Sequence, residues 1–190
     1  MATNNTANVS VGKGVVGGYF FTAPVGTTLP TNFGSTLDTT KWLNVGYLSD
    51  EGITASQDAD NSDFNDLNGD MIASSMSSKT RTLGLQFVEV NEVSAKESFG
   101  QSNVTVDASG NMTIVHNNDP MDHRSGVIEA VLRDGRRWRR VIPDMCVTEW
   151  DDMTIVSSEL VMFPVTYTLY ADATGNYIYD YIQSTEDSES

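Results

Sequence analysis

The sequence predicts a mainly β protein, a β-sandwich or barrel with one short flanking α-helix. Three observations predict it. Short stretches of alternating apolar and polar residues recur along the chain, separated by Gly, Pro, Asn and Asp turn signals. Only one segment switches to helical spacing. The length of 190 residues fits a single domain, large enough to bury roughly 70% of its unfolded surface.

Residues 1–17 are polar and Gly-rich and read as a flexible N-terminal arm. A β domain over 18–182 follows, and 183–190 (QSTEDSES) reads as a disordered tail. Val15–Thr22 reads as the first strand, ended by Ala23-Pro24, and Trp42–Leu48 as a second. In Lys79–Val90, Leu83, Leu85 and Phe87 share one face and Thr82 and Gln86 the other. Asn91 is a fair N-cap for a helix over Glu92–Phe99, with Gly100 as its stop. Val104–Asp107 and Met112–His116 flank Ala-Ser-Gly, a hairpin signal, and Val127–Arg133 and Arg136–Ile142 flank Asp134-Gly135, a stronger one. Cys146–Trp150, Leu160–Tyr170 and Tyr177–Ile182 read as the remaining strands, with Pro164 favouring an edge or a bulge.

Charge is the most informative part of the composition. Acidic residues outnumber basic ones 26 to 11, and the formal net charge is −15. Duplex DNA carries about one negative charge per 1.7 Å, and gripping it rests on clustered Lys and Arg. That balance argues against a nucleic-acid-binding protein, yet suits a wall past which nucleic acid slides. No apolar run approaches the roughly 20 residues of a membrane-spanning helix. No secretory signal is visible at the N-terminus. Asn4, Asn8, Asn103 and Asn111 each open an Asn-x-Ser/Thr triplet, read as composition and not as glycosylation. Cys146, the only cysteine, excludes an internal disulfide and fits a reducing compartment.

Between Asp50 and Asp70 the chain carries seven carboxylates and no positive charge. A stretch that repels itself reads as an extended or mobile loop, here over 49–78. Loops beyond about 15 residues in a compact domain are usually functional. We expect this one to order against a neighbouring copy, with Asp58, Asp60, Asp63, Phe64, Asp66 and Asp70 at the interface. The basic counterpart is Arg133, Arg136, Arg137, Arg139 and Arg140, interrupted by Trp138. Alternation puts Arg136, Trp138 and Arg140 on one face and Arg137 and Arg139 on the other, so they cannot all face one ligand. Arg136, Arg137, Arg139 and Arg140 are expected to pair with carboxylates of this subunit or the next.

Chemistry-bearing motifs are few. Gly12-Lys-Gly-Val-Val-Gly17 matches GxGxxG, but a strand-like Gly18-Tyr-Phe-Phe-Thr-Ala-Pro24 follows where a dinucleotide site needs a helix. A calcium loop starting at Asp58 would have Asp63 in place of Gly and Gly69 in place of Glu. His123 lies near Asp122 and Ser125, without a nucleophile elbow. No catalytic, cofactor-binding or metal site is predicted, and no cofactor; the reading is a structural protein and not an enzyme.

Four stretches together resemble the major tail tube protein of long, non-contractile-tailed bacteriophages, especially those of actinobacterial hosts. They are Gly18-Tyr-Phe-Phe-Thr-Ala-Pro-Val-Gly-Thr-Thr-Leu-Pro-Thr31, then Val45-Gly-Tyr-Leu-Ser-Asp-Glu-Gly-Ile-Thr54, then the strand, Glu-x-Asn and short helix of Thr82–Gly100. The fourth combines Asn103-Val-Thr-Val, His116-Asn-Asn-Asp-Pro120, the Asp-Gly-Arg-Arg hairpin at Asp134–Arg137, and Ile142-Pro. The resemblance implies the tail tube fold without an appended immunoglobulin-like domain, and a homo-hexamer. The rings would stack into a tube around a DNA channel, with the 49–78 loop reaching the adjacent ring. It implies as partners other copies of the chain, a tape-measure protein, a tail terminator and distal tail proteins. It also implies a place in the virion tail after assembly in the host cytoplasm, with DNA passing unbound and no membrane contact. Late in the loop, relatives often carry an aromatic and an Arg; here Phe64 and Met71–Ser78 stand there without Arg. Two alternatives remain: the tube protein of a related secretion or tailocin system, and a monomeric β-sandwich surface-binding module using Trp42, Trp138 or Trp150 as a platform.

Overall fold

The computed structural model describes residues 9–184. Eleven strands and one helix follow in order: β1 (Gly12–Gly14), β2 (Phe20–Pro24), β3 (Leu43–Asn44), β4 (Thr54–Asn65), β5 (Met71–Phe87), α1 (Glu92–Phe99), β6 (Val104–Val106), β7 (Met112–Ile114), β8 (Arg124–Leu132), β9 (Arg137–Trp150), β10 (Phe163–Tyr170) and β11 (Tyr179–Ile182). Nine strands form one antiparallel sheet on the path β3-β2-β8-β9-β10-β5-β4, with β1 added beside β8 and β11 beside β9; β6 and β7 form a separate hairpin. The fold is the expected mainly β architecture with one short helix.

Residues 43–49 close the sheet on itself. Asn44 and Leu43 pair with Phe21 and Thr22 of β2. A few residues on, Leu48 bridges Phe87 of β5, the Val88 N–H donates to the Tyr47 carbonyl (3.1 Å), and the Ser49 N–H donates to the Gln86 carbonyl (3.0 Å). One segment thus bonds to β2 on one side and β5 on the other and joins the barrel wall there. Inside lie Phe20, Leu83, Leu85, Phe87, Ile142, Met145, Val147, Phe163, Val165, Tyr167 and Leu169. The Leu83–Leu85–Phe87 alternation accounts for β5's share of that core. A second small core, Ala23, Trp42, Val127 and Val141, lies on the outer face of β2, β8 and β9.

The helix forms where its signals stand. Asn91 accepts from the Ser94 N–H (2.9 Å), Ser94 Oγ accepts from the Asn91 N–H (3.1 Å), and Gly100 ends the helix at positive φ. Its buried face carries a charge. Glu97 accepts from Arg124 Nε (2.8 Å), Thr22 Oγ1 (2.9 Å) and Tyr167 OH (3.3 Å), so one carboxylate joins α1 to β8, β2 and β10. Burial pushes the Glu97 carboxyl above the ordinary carboxylate value, against the pull of Arg124.

Several boundaries differ from the sequence reading. Of the expected Val15–Thr22 strand, residues 15–19 are turn and irregular backbone, with Gly17 and Gly18 at positive φ, and the strand proper is β2, which starts only at Phe20; β1 lies before the expected range. Gly12–Gly14, the start of the GxGxxG match, is a strand paired with residues 130–132 and opens no helix. Arg136–Ile142 and Cys146–Trp150 are one continuous β9. Pro164 sits at the start of β10, just outside the stretch paired with β9, and a bulge follows at Thr166/Tyr167. No helix among the described residues is long and apolar enough to cross a membrane. Of the expected N-terminal arm, residues 1–8 lie outside the described residues, as do 185–190 of the tail.

Candidate assembly site

The acidic segment is a hairpin, not an irregular loop. Strands β4 and β5 pair from Thr54↔Gly84 out to Asn65↔Met71, with bulges at Asp60/Asn61 and Phe64/Asn65. At about 3.3 Å per residue, the twelve residues of β4 extend roughly 40 Å. Serines opposite the aspartates hold them in the ladder: Ser74 Oγ donates to Asp63 (2.6 Å) and Ser78 Oγ to Asp60 (2.8 Å). The tip is a turn held by the Asp66 side chain. Asp66 accepts the N–H groups of Asn68 (2.8 Å) and Asp70 (2.9 Å), bonds that hold its carboxyl below the usual carboxylate range. The same arrangement recurs at Asp107–Asn111 and Asp172–Asn176.

This arm has no core. From Thr54 to Thr80 every residue except Asp66 is exposed. Its distal half displays Phe64, Leu67, Met71, Ile72 and Met76, with Leu67 fully exposed. Asp58, Asp60, Asp63, Phe64, Asp66 and Asp70 are therefore brought together on one projecting ribbon. Among the described residues, no ion pair joins the arm to the barrel; at its base the Arg81 guanidinium lies 4.2 Å over the Tyr177 ring.

The arginines separate as alternation requires, and they find partners within the chain. Arg140 Nε and Trp138 Nε1 both donate to Asp180 (2.8 and 2.7 Å). On the opposite face Arg139 is buried against Glu129, and its Nη1 donates to the carbonyls of Asn32 (2.8 Å) and Ser35 (2.7 Å). It thereby pins the 29–42 segment over the outer core. Arg139 is an internal strut, which removes it from the residues accessible to a neighbouring subunit. Arg136 pairs with Asp134 (2.7 Å), while Arg137, half exposed, reaches Glu129 only at 3.9 Å. No arginine of this hairpin pairs with Asp58–Asp70.

The Ser/His/Asp grouping does not assemble. His123 Nδ1 contacts Asp144 (2.6 Å), the Ser125 hydroxyl donates to the Pro143 carbonyl (2.6 Å), and Asp122 accepts from the Gln101 N–H (2.9 Å). The described residues hold no group of three or more His, Cys, Asp or Glu side chains arranged for a metal ion. Trp42 is buried, Trp150 Nε1 donates to the Ser98 carbonyl (2.7 Å), and Trp138 serves Asp180, so the three tryptophans form no shared platform.

Sequence reasoning missed the strand character of the arm, the Glu129–Arg139 strut and the Glu97 junction. The repeated Asp-x-x-Gly turn was a usable signal for the first: Asp66-Leu-Asn-Gly69 parallels Asp107-Ala-Ser-Gly110 and Asp172-Ala-Thr-Gly175.

Among solved structures, the tube terminating cap of an anti-feeding prophage, determined by cryo-EM, is similar at a TM-score of 0.37 and 11% identity, over 95% of this chain and 98% of that one. A likeness that low carries no argument about function. No curated protein sequence matches. The family model described as phage tail tube protein matches residues 1–189, nearly the whole length. On that match, the chain belongs to the phage tail tube protein family.

Proposed function

We propose that this chain forms hexameric rings that stack into the tail tube of a long, non-contractile bacteriophage tail, enclosing a channel through which DNA passes. Family membership makes it a structural component of a tail tube in the virion; the ring number and the DNA channel belong to the proposal. The observation that supports it most is the arm. A two-stranded ribbon without a core is at best marginal alone in water, and here it exposes five large apolar side chains. Such an element gains its stability by lying against another copy. Because arm and acceptor surface are different parts of the chain, the contact is heterologous and repeats without end, as a filament requires. Asp58, Asp60, Asp63, Phe64, Asp66 and Asp70 then sit between successive rings.

The charge supports the channel. With a net charge of −15, a lumen built of this chain repels phosphate and offers few cations on which DNA would stall. The outer face of β4 is an open strand edge guarded by Asp58, Asp60 and Asp63, which disfavours premature edge-to-edge pairing of free subunits. Tape-measure, terminator and distal tail proteins are the expected partners during assembly in the host cytoplasm. Negative-stain electron microscopy at rising concentration, with and without tube seeds, tests the reading. Six-fold rings or hollow tubes of uniform width support it; a monomer at every concentration, seeded or not, overturns it.

A further inference from the structure

The polymer reading leaves the acceptor of the arm unspecified. We propose that the arm's tip docks, in a second copy, into the hollow at the end of the β8–β9 hairpin, against Lys13 and Arg133. This inference rests on the proposed self-assembly and names the partner surface for it.

Two independent features point to that surface. The first is charge. Among the described residues around the β8–β9 turn, Lys13, Arg133, Arg136, Arg137 and Arg139 stand against Glu129 and Asp134, an excess of three positive charges. The arm carries Asp58, Asp60, Asp63, Asp66 and Asp70 against Lys79, an excess of four negative charges. In a chain this acidic, the hairpin end is where an acidic ribbon meets attraction and not repulsion. Lys13 and Arg133 are exposed and have no ion-pair partner among the described residues, unlike Arg136, Arg139 and Arg140.

The second feature is shape and apolar surface. Val11, Lys13, Val131, Leu132, Arg133 and Gly135 line an open hollow of about 360 Å³, with Val11 largely exposed. At the tip of the arm, Leu67 projects fully into solvent between Asp66 and Asp70. Its side chain does nothing for the turn, because the two sister turns with the same hydrogen bonds carry Ala108 and Ala173 at that position. A leucine where alanine suffices, flanked by carboxylates, complements an apolar hollow rimmed by two cations that have no ion-pair partner among the described residues.

The test uses the full chain and measures the critical concentration for assembly by sedimentation. Leu67→Ala keeps the turn, so thermal unfolding of the monomer should not change, while the critical concentration should rise about tenfold. Arg133→Asp and Asp70→Arg should each raise it by a similar factor, and the two together should return it to within about threefold of wild type. Lys41→Asp, the same charge change outside the hollow, controls for net repulsion. The inference is overturned if Arg133→Asp assembles like wild type or no worse than Lys41→Asp, or if the double variant recovers nothing. Where the wild type still forms tubes in those cases, the acceptor is wrong and the tube reading stands. If the wild type never assembles, both fall.

Discussion

Arg139 offers the sharpest test of how the barrel holds its outer layer. Replacing it with Met keeps the aliphatic stem and removes the guanidinium. Glu129, almost fully buried, then loses its close partner and keeps only Arg137 at 3.9 Å, and one of its oxygens already lacks a hydrogen bond. Breaking a buried pair by removing one member costs about 3–5 kcal/mol. The loss of donors to the Asn32 and Ser35 carbonyls adds to that cost. Against a total of about 5–15 kcal/mol for a domain, this is a large fraction. With a urea slope of about 2 kcal/mol/M, the midpoint should fall by roughly 2 M in Arg139→Met. Urea titration followed by circular dichroism on the monomer reads it directly. The double variant Glu129→Leu/Arg139→Met removes both charges and should recover most of the loss, since a buried pair replaced by apolar groups is often neutral. A midpoint shift below about 0.5 M in the single variant, or a double variant as weak as the single, would refute the reasoning that this pair pins the 29–42 segment.

Three further outcomes are expected. Burial raises the Glu97 carboxyl above its ordinary value, so the native state holds its proton to higher pH than the unfolded chain does. Its contribution to stability is full below the ordinary value and falls as pH rises through the native one, and Glu97→Gln should flatten that limb of the stability–pH curve measured by urea unfolding. Asp172 behaves oppositely: hydrogen bonds from Tyr179, Thr174 and Asn176 hold its carboxyl far below the usual range. Its contribution is present above the ordinary carboxylate value and lost as pH falls toward the native one, so Asp172→Asn should weaken the protein at neutral pH and lessen its acid sensitivity in the same titration. Removing residues 58–80 and joining Gln57 to Arg81 through Asn-Gly should leave a monomer that melts within a few degrees of wild type, because the arm buries nothing, yet forms no tubes under the microscope.

How much of this was legible in the sequence depends on the range of the forces involved. Local rules placed α1, since Asn91, Ser94 and Gly100 act within a few residues of themselves. Alternation placed Leu83, Leu85 and Phe87 in the core and divided Arg137 and Arg139 from Trp138 and Arg140. Glu129–Arg139 and Glu97–Arg124 escaped because charged residues read as surface, and only tertiary pairing makes them interior. The arm escaped for a different reason. A polar, acidic stretch has the composition of a loop, and its strand character comes from backbone pairing between distant residues, supported by Ser–Asp bonds between residues eleven and eighteen apart. The apolar tip stood in plain view as Phe64, Leu67, Met71 and Ile72, but only the hairpin brings them to one end.

The Glu97 junction also sets a timetable. Thr22, Glu97, Arg124 and Tyr167 lie on four elements spread over 146 positions of the chain, and the full set of bonds is complete only when all four are in place. While the chain is being synthesised, Glu97 can complete this junction only after β10 emerges, so the junction is expected to close late and to contribute little to the folding transition state. Weakening it should leave the refolding rate almost untouched and quicken unfolding instead. For a subunit that is made once and then serves inside a long-lived particle, the late-closing bonds govern how long it stays shut.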